Sequence, residues 1–400
     1  MNIYALSSGK GPSGIAIVRI SGSNVLNICK KITKLKEIKS AEVNFCKFYD
    51  PKNDNIIDPE ALLLWFPGPN SYTGEDLAEL QIHGSNAIIS GLLRVLSEQK
   101  NCRLAEPGEF TKIAFQNDKI DLLKAESISD LIHAETELQR DQAVKLVQGN
   151  ASSYYNDLRE KLIKSLSYIE AKIDFAEDDL PEKVLKEVQN SIKEIHKDIH
   201  KIIEDNKIGE KIRNGFRVSI TGEVNAGKSS LLNLIAKREV AIVSDEAGTT
   251  RDVVETYLNI DGYPVILADT AGIRDAKNEV EKKGITLALG RSKEADLNIV
   301  VIDNSSKSIN NEIKKMINKD TIVLLNKSDV QDKHNHKFDA DTVLASVKEN
   351  KNIDQLIKKI KEKLSKKFTS NNIALITRER HRVKLNECLK EINNFMKKDK

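Results

Sequence analysis

No apolar run in this 400-residue chain approaches the ~18 residues of a membrane-spanning helix, and the N-terminus lacks a signal-peptide core. A membrane protein is therefore not expected. Cysteine is scarce: Cys29, Cys46, Cys102 and Cys388 stand apart with no C-x-x-C spacing. That argues against structural zinc or a disulfide scaffold and fits a reducing, cytoplasmic location. Charge of one sign is scarce as well. Lys and Arg number 63 against 60 Asp and Glu, a formal net charge of +3, so bulk electrostatics do not announce a nucleic-acid binder.

What the chain does contain is Gly222-Glu223-Val224-Asn225-Ala226-Gly227-Lys228-Ser229, a complete G-x-x-x-x-G-K-S phosphate loop. The strand-like run Phe216-Arg-Val-Ser-Ile220 precedes it and the helix-like run Ser230-Leu-Leu-Asn-Leu-Ile235 follows, the setting the motif requires. Glycines let the backbone turn tightly, so that successive N–H groups and a helix N-terminus point at phosphate oxygens. Lys228 then neutralises the β- and γ-phosphates, and the Ser229 hydroxyl ligates Mg²⁺.

Three further motifs, in order, make the nucleotide guanine. Gly248-Thr249-Thr250-Arg251-Asp252 is followed by Asp269-Thr270-Ala271-Gly272 and then by Asn326-Lys327-Ser328-Asp329. Asp269 ends the apolar run Val265-Ile-Leu-Ala268, where a strand delivers its carboxylate to the magnesium shell. Gly272 leaves the backbone free to approach a γ-phosphate. Asn326 and Asp329 follow another strand-like run, Thr321-Ile-Val-Leu-Leu325. An Asp329 carboxylate accepts from both N1–H and the exocyclic amine of guanine, whereas adenine offers no such donor pair. Ser346-Val347-Lys348 is a weaker fifth, base-binding loop. Many small GTPases place a Gln after the second of these motifs to orient the attacking water. Here Ile273 stands there and cannot bond water, so another group must position it; Glu279 and Glu281 are nearby carboxylates. Arg251 and Arg274 are arginine-finger candidates, and neither is assigned.

The length suggests two or three domains. Residues 1–118 alternate short apolar runs with turns, as in Ile15-Ala-Ile-Val-Arg-Ile20 and Ala61-Leu-Leu-Leu-Trp-Phe66, and read as mixed α/β. Residues 119–213 read as helical. Leu158, Leu162, Leu166, Ile169 and Ile173 form one a/d seam, and Leu185, Val188, Ile192, Ile195, Ile199 and Ile202 a second, after a break at Asp178-Asp179-Leu180-Pro181. An intramolecular bundle is favoured over an intermolecular coiled coil. Residues 372–400 look helical again. The expected architecture is therefore multidomain α+β and α/β: an N-terminal α/β domain, then an α-helical bundle with a Ras-like P-loop GTPase domain (214–371) inserted. The Lys-rich stretch 358–367 reads as a solvated helix face in preference to an RNA contact.

Taken together, the chain resembles the MnmE/TrmE family of tRNA-modification GTPases. Besides the GTPase motifs, the resemblance rests on Gly14-Ile-Ala-Ile-Val-Arg-Ile-Ser-Gly22, Ser71-Tyr-Thr-Gly-Glu-Asp76, Glu79-Leu-Gln-Ile-His-Gly84 and Ala105-Glu-Pro-Gly-Glu-Phe-Thr111. It continues through Ala114-Phe-Gln-Asn-Asp-Lys119 and Glu170-Ala-Lys-Ile-Asp-Phe175. The resemblance implies an N-terminal domain that dimerises and binds a tetrahydrofolate, 5,10-methylene or 5-formyl. It implies a heterotetramer with an FAD-dependent partner, MnmG or GidA. Together the two proteins add a carboxymethylaminomethyl or aminomethyl group at C5 of the wobble uridine of certain tRNAs, coupled to K⁺-stimulated GTP hydrolysis.

Carried over by position, the resemblance implies nucleotide contacts at Asn225, Ala226, Gly227, Lys228, Ser229 and Ser230, at Ser244, Asp245, Glu246, Ala247, Gly248, Thr249 and Thr250, at Asp269, Thr270, Ala271 and Gly272, and at Asn326, Lys327, Ser328 and Asp329. Asn225, Ser244, Glu246 and Thr249 match the K⁺ ligands, and Ser229 and Thr250 those of Mg²⁺. Glu281 matches the catalytic carboxylate that orients water, and Arg19, Glu79 and Lys119 the folate site. Two departures stand out. Glu223-Val224 replaces a basic or polar residue and Pro, and a Glu facing phosphates weakens affinity. The family's terminal Cys-x-Gly-Lys is not present, so a shortened bundle is expected. Two alternatives remain: a GTP-switched RNA or ribosome assembly factor, and a truncated GTP-binding subunit that does not modify tRNA.

Overall fold

Period-two alternation in the first third of the chain builds a one-sided sheet. In the computed structural model, residues 1–174, 182–205, 207–241, 255–269, 295–330, 336–368 and 375–398 are described. The chain divides into two units, Met1–Glu126 and Ser127–Lys400. In the first, β1 (Asn2–Leu6), β2 (Ser13–Ser21), β3 (Asn44–Tyr49), β4 (Ile56–Phe66), β5 (Leu77–Gly84) and β6 (Cys102–Leu104) form one sheet in the order β3-β4-β5-β2-β1-β6. Ala16, Val18 and Ile20 of β2 and Ala78, Leu80 and Ile82 of β5 point to one face. There they pack on Val25, Ile28 and Ile32 of α1 (Val25–Thr33) and on Ile89, Leu92 and Val95 of α2 (Asn86–Ser97). Ser85 caps α2 by accepting the Ile88 N–H at 3.2 Å. The residues between them face the other way: Ile17, Gln81, Leu62 and Phe45 form one cross-strand row, and Arg19, Glu79 and Leu64 the next. A short helix, α3 (Glu109–Gln116), follows β6.

The second unit takes in most of α4 (Leu122–Ile132) and contains α5 (Glu137–Val147), α6 (Asn150–Asp174), α7 (Glu182–Ile203) and α8 (Ile208–Asn214). The chain then enters a second sheet. Its strands are β7 (Phe216–Gly222), β8 (Val240–Ala241), β9 (Glu255–Ile260), β10 (Tyr263–Asp269), β11 (Leu297–Asp303), β12 (Ile322–Asn326) and β13 (Asp341–Leu344), ordered β13-β12-β11-β7-β10-β9-β8. β7 lies at the centre, parallel to both β10 and β11, while β9 runs antiparallel to β10. The central strands read as near-continuous apolar runs because helices cover both of their faces. These helices are α9 (Lys228–Arg238), α10 (Asn311–Met316) and α11 (Ile353–Phe368), with Leu231 and Ile235 in one core, Ile313 and Met316 in another, and Leu356, Ile360 and Leu364 joining the first.

The chain leaves the sheet for α12 (Glu379–Lys398), whose Leu389 and Ile392 share a core with Leu158 of α6 and Val188, Ile192, Ile195 and Ile199 of α7. The helices before and after the sheet thus pack on one another within a single chain, as the a/d seams suggest. Part of the first seam is misread, however. The inward-facing line on α6 runs Leu158, Leu162, Ser165, Ile169, buried at Leu158 and Ser165 and partly buried at the other two, whereas Leu166 and Ile173 are exposed. Ser165 Oγ donates to Ser191 Oγ of α7 at 3.4 Å, so a small residue sits where the helices meet and Leu166 is turned ~100° away. Leu185 of the second seam is also exposed. The expected break at 178–181 lies outside the described residues.

Entry to and exit from the sheet are tied by ion pairs. Arg213 of α8 donates Nε to Asp130 Oδ1 at 2.9 Å, and Arg378 reaches both oxygens of the same carboxylate at 2.8 and 3.0 Å. Arg382, only 8% exposed, bonds Asp205 at 2.8 Å and Glu210 at 3.0 Å. Arg382→Met should lower stability by about 1–2 kcal/mol, because Glu210 stays buried with a partner lost; the shift of the urea midpoint measures it, and an unchanged midpoint would show the pair to be neutral. No described helix is long and apolar enough to cross a membrane.

Candidate functional site

The phosphate loop leaves β7 between two parallel neighbours whose connections diverge, the place where open α/β sheets bind ligands. Its geometry demands particular residues. Gly222 has φ 148°, and a Cβ there would lie 2.1 Å from the Val301 carbonyl oxygen of β11. Gly227 has φ 101° and would clash with Asn326 Nδ2 at 2.3 Å; between them Asn225 is also left-handed, φ 59°. Lys228 opens α9 and donates Nζ to the carbonyls of Gly222 (3.1 Å) and Glu223 (2.7 Å), lying across its own loop. Ser229 and Ser230 follow in the first turn of that helix, with backbone N–H groups at its positive end. The Glu223 carboxylate does not turn to this cradle; it accepts the Asn310 N–H at 2.7 Å.

The guanine loop follows β12 and is joined to the phosphate loop. Asn326 Nδ2 donates to the Ala226 carbonyl at 2.8 Å while its Oδ1 accepts the Val347 N–H at 3.0 Å. One side chain thereby ties the phosphate loop to both base loops. Asp329 Oδ1 accepts the Ser346 hydroxyl at 2.6 Å. That bond, followed by one from Asp329's own backbone N–H, holds its carboxyl below the usual carboxylate range. The Ser328 N–H donates to the Ala345 carbonyl at 3.1 Å. Lys327 has φ 63° and pairs with Asp303 at the end of β11. Burial pushes the Asp303 carboxyl up, but the Lys327 ammonium and Ser305 outweigh it and hold it low. Asp303 escaped the motif reading, although it ends an apolar run just as Asp269 does.

Asp269 closes β10 opposite Ile220 of β7, with its side chain outside the described set. Ser244, Asp245, Glu246, Ala247, Gly248, Thr249, Thr250, Thr270, Ala271, Gly272 and Glu281 all lie outside the described residues, as do Arg251 and Arg274. In the Lys-rich stretch, Lys359, Lys361 and Lys363 pair with Asp341, Asp261 and Asp341 respectively.

A second polar cluster lies in the first unit. Arg19 of β2 donates Nη2 to Glu79 Oε1 of β5 at 2.6 Å, across directly paired residues. The rings of Tyr72 and Phe110 flank the guanidinium at 5.4 and 5.7 Å. Tyr72 Oη bonds Thr111 Oγ1 at 2.9 Å, which ties the loop carrying one ring to α3, which carries the other. Lys119 joins the 67–76 loop instead of the ion pair, donating to the Pro69 carbonyl at 2.8 Å. Sequence reasoning missed Tyr72 and Phe110; both fall inside motifs that carried the family resemblance.

Comparisons with known proteins cover the whole chain. Residues 2–119 match the GTP-binding protein TrmE N-terminus and residues 122–400 the MnmE helical domain. The tRNA modification GTPase MnmE of Pelagibacter ubique is 52% identical over 401 residues, covering 100% of this chain and 90% of that protein. Its counterpart in Rickettsia bellii is 41% identical over 400 residues (98% and 89%), and that of a Wolbachia of Drosophila simulans 42% over 398 residues (98% and 88%). With its phosphate and guanine loops joined through Asn326, the chain belongs to the MnmE family of tRNA modification GTPases.

Proposed function

We propose that this GTPase acts with the flavoprotein MnmG on the wobble uridine of certain tRNAs, adding a carboxymethylaminomethyl or aminomethyl group at C5 with a one-carbon unit from tetrahydrofolate. The observation that carries the folate step is the Arg19–Glu79 pair between two aromatic rings. A pterin edge supplies N–H donors for a carboxylate, a folate tail supplies carboxylates for cations, and flat rings suit aromatic neighbours. The pair is partly open to solvent, at 26% and 22% side-chain exposure, so a ligand can reach it. Lys119, hydrogen-bonded to the loop that carries Tyr72, is proposed to serve the tail.

The domain reading is 1–118 for folate binding and dimerisation, 119–213 and 372–400 for the helical domain, and 214–371 for the GTPase. Two large apolar side chains of this sheet that are left exposed, Phe45 at 67% and Ile15 at 65%, support pairing of two copies through the N-terminal domain. For GTP, Ser229 and Thr250 are proposed to hold Mg²⁺, since their hydroxyls are oxygen ligands of the kind a hard cation takes. Asn225, exposed at a left-handed turn of the loop, supplies an amide oxygen suited to K⁺, with Ser244, Glu246 and Thr249 completing the set. Bound there, K⁺ would supply positive charge beside the phosphates. Glu281 takes the water-orienting role that Ile273 cannot, and the location is cytoplasmic.

Calorimetry with 5-formyl-tetrahydrofolate tests the folate step. The chain should bind it, and Arg19→Ala should weaken binding about tenfold while GTP turnover stays unchanged. Equal folate affinity in Arg19→Ala, or no binding by the parent chain, would sink the assignment. Incubation with the flavoprotein, GTP, folate and tRNA, read by mass spectrometry of nucleosides, tests the product.

A further inference from the structure

The phosphate loop carries an acidic residue, Glu223, at a position where a negative charge facing phosphates would oppose binding. Its carboxylate is directed elsewhere: Oε1 accepts the backbone N–H of Asn310, 87 residues downstream, at 2.7 Å. The backbone of Glu223 is engaged too, since its carbonyl accepts Lys228 Nζ at 2.7 Å. One residue therefore holds the phosphate-binding lysine through its main chain and the β11–α10 connection through its side chain.

That connection is anchored at both ends. At its start, Asp303 pairs with Lys327 of the guanine loop and accepts the Ser305 N–H at 2.9 Å and the Ser305 hydroxyl at 2.6 Å. Next to it, the Asn304 N–H donates to the Asn326 carbonyl at 3.0 Å. At its end, Asn310 caps α10, its Oδ1 accepting the Glu312 N–H at 2.8 Å. Residues 303–310 thus run as a strap from the guanine loop to the phosphate loop, and Glu223 supplies the fastening at the phosphate side. We propose that Glu223 is a positioning residue that docks the phosphate loop on this strap and thereby slows nucleotide release. The inference draws on the GTP site alone and is independent of the folate and tRNA reading.

The alternative, a carboxylate that merely repels the phosphates, makes opposite predictions, so release of fluorescent GDP from the full chain separates the two. Glu223→Ala should release GDP about three- to tenfold faster. Glu223→Gln, which keeps an acceptor oxygen without the charge, should restore slow release. Asn310→Pro removes the N–H donor at a backbone angle proline adopts (φ −53°) and should speed release like Glu223→Ala. The double variant should be no faster than the faster single one. Asn310→Ala keeps the N–H and loses only the cap, so its release should match the parent even if its melting temperature falls. Slower release in both Glu223→Ala and Glu223→Gln, or additive effects in the double variant, would overturn the proposal.

Discussion

Lys228→Ala is expected to weaken GTP binding by about thirtyfold to several thousandfold, the effect of removing a charge partner worth about 2–5 kcal/mol. In the structure the ammonium lies across the phosphate loop, on the carbonyls of Gly222 and Glu223. It is thus pre-placed above the N–H groups of the loop and of α9, and no other phosphate-loop side chain is cationic. Backbone donors remain in the variant, but they carry only partial charge. Fluorescent GTP titration reads the loss directly. A variant that binds within threefold of the parent would mean that the phosphates lie elsewhere.

Asp329→Asn is expected to reduce discrimination of GTP over ATP by about tenfold to a hundredfold, the scale of one bidentate base contact. An amide presents a donor where the carboxylate presented only acceptors, so the exchange sets donor against donor at the guanine amine. Xanthosine triphosphate carries a carbonyl there and should gain. Unchanged discrimination would remove Asp329 from the base site. The pH dependence has a defined sign. The folded-state pKa of Asp329 is lowered, chiefly by the Ser346 hydroxyl, so the carboxylate is charged above its ordinary pKa and loses its charge only as the pH falls through the lower folded value. Guanine discrimination should therefore stay level as the pH falls to about 4. Ser346→Ala should move the loss to higher pH.

The strands around the nucleotide were legible because buried parallel strands show as apolar runs closed by turn or motif residues. Phe216–Ile220, Val265–Ala268 and Thr321–Leu325 foreshadow β7, β10 and β12 in this way. The seams of α6 and α7 were legible only in part. Heptad spacing counts apolar residues, while the bundle chose Ser165 over Leu166 at the close approach to Ser191. Contacts between distant residues left no local trace. The direction of the Glu223 carboxylate depends on Asn310, the burial of Arg382 on Asp205 and Glu210, and the shared use of Asp130 by Arg213 and Arg378 on segments far apart in sequence. In the first unit, Arg19 and Glu79 could be named from motif position. Their pairing and their aromatic flanks required the strand register that sets residue 19 opposite residue 79.

The most direct measurement is nucleotide hydrolysis by the purified chain with Mg²⁺, in KCl and in NaCl at equal ionic strength, offered GTP or ATP. The expected result is turnover of GTP alone, at least about tenfold faster in KCl, as for a fixed cation that stabilises transition-state charge. Equal, slow rates in both salts would contradict the potassium site at Asn225, and comparable hydrolysis of ATP would contradict the guanine-reading loop built on Asn326 and Asp329.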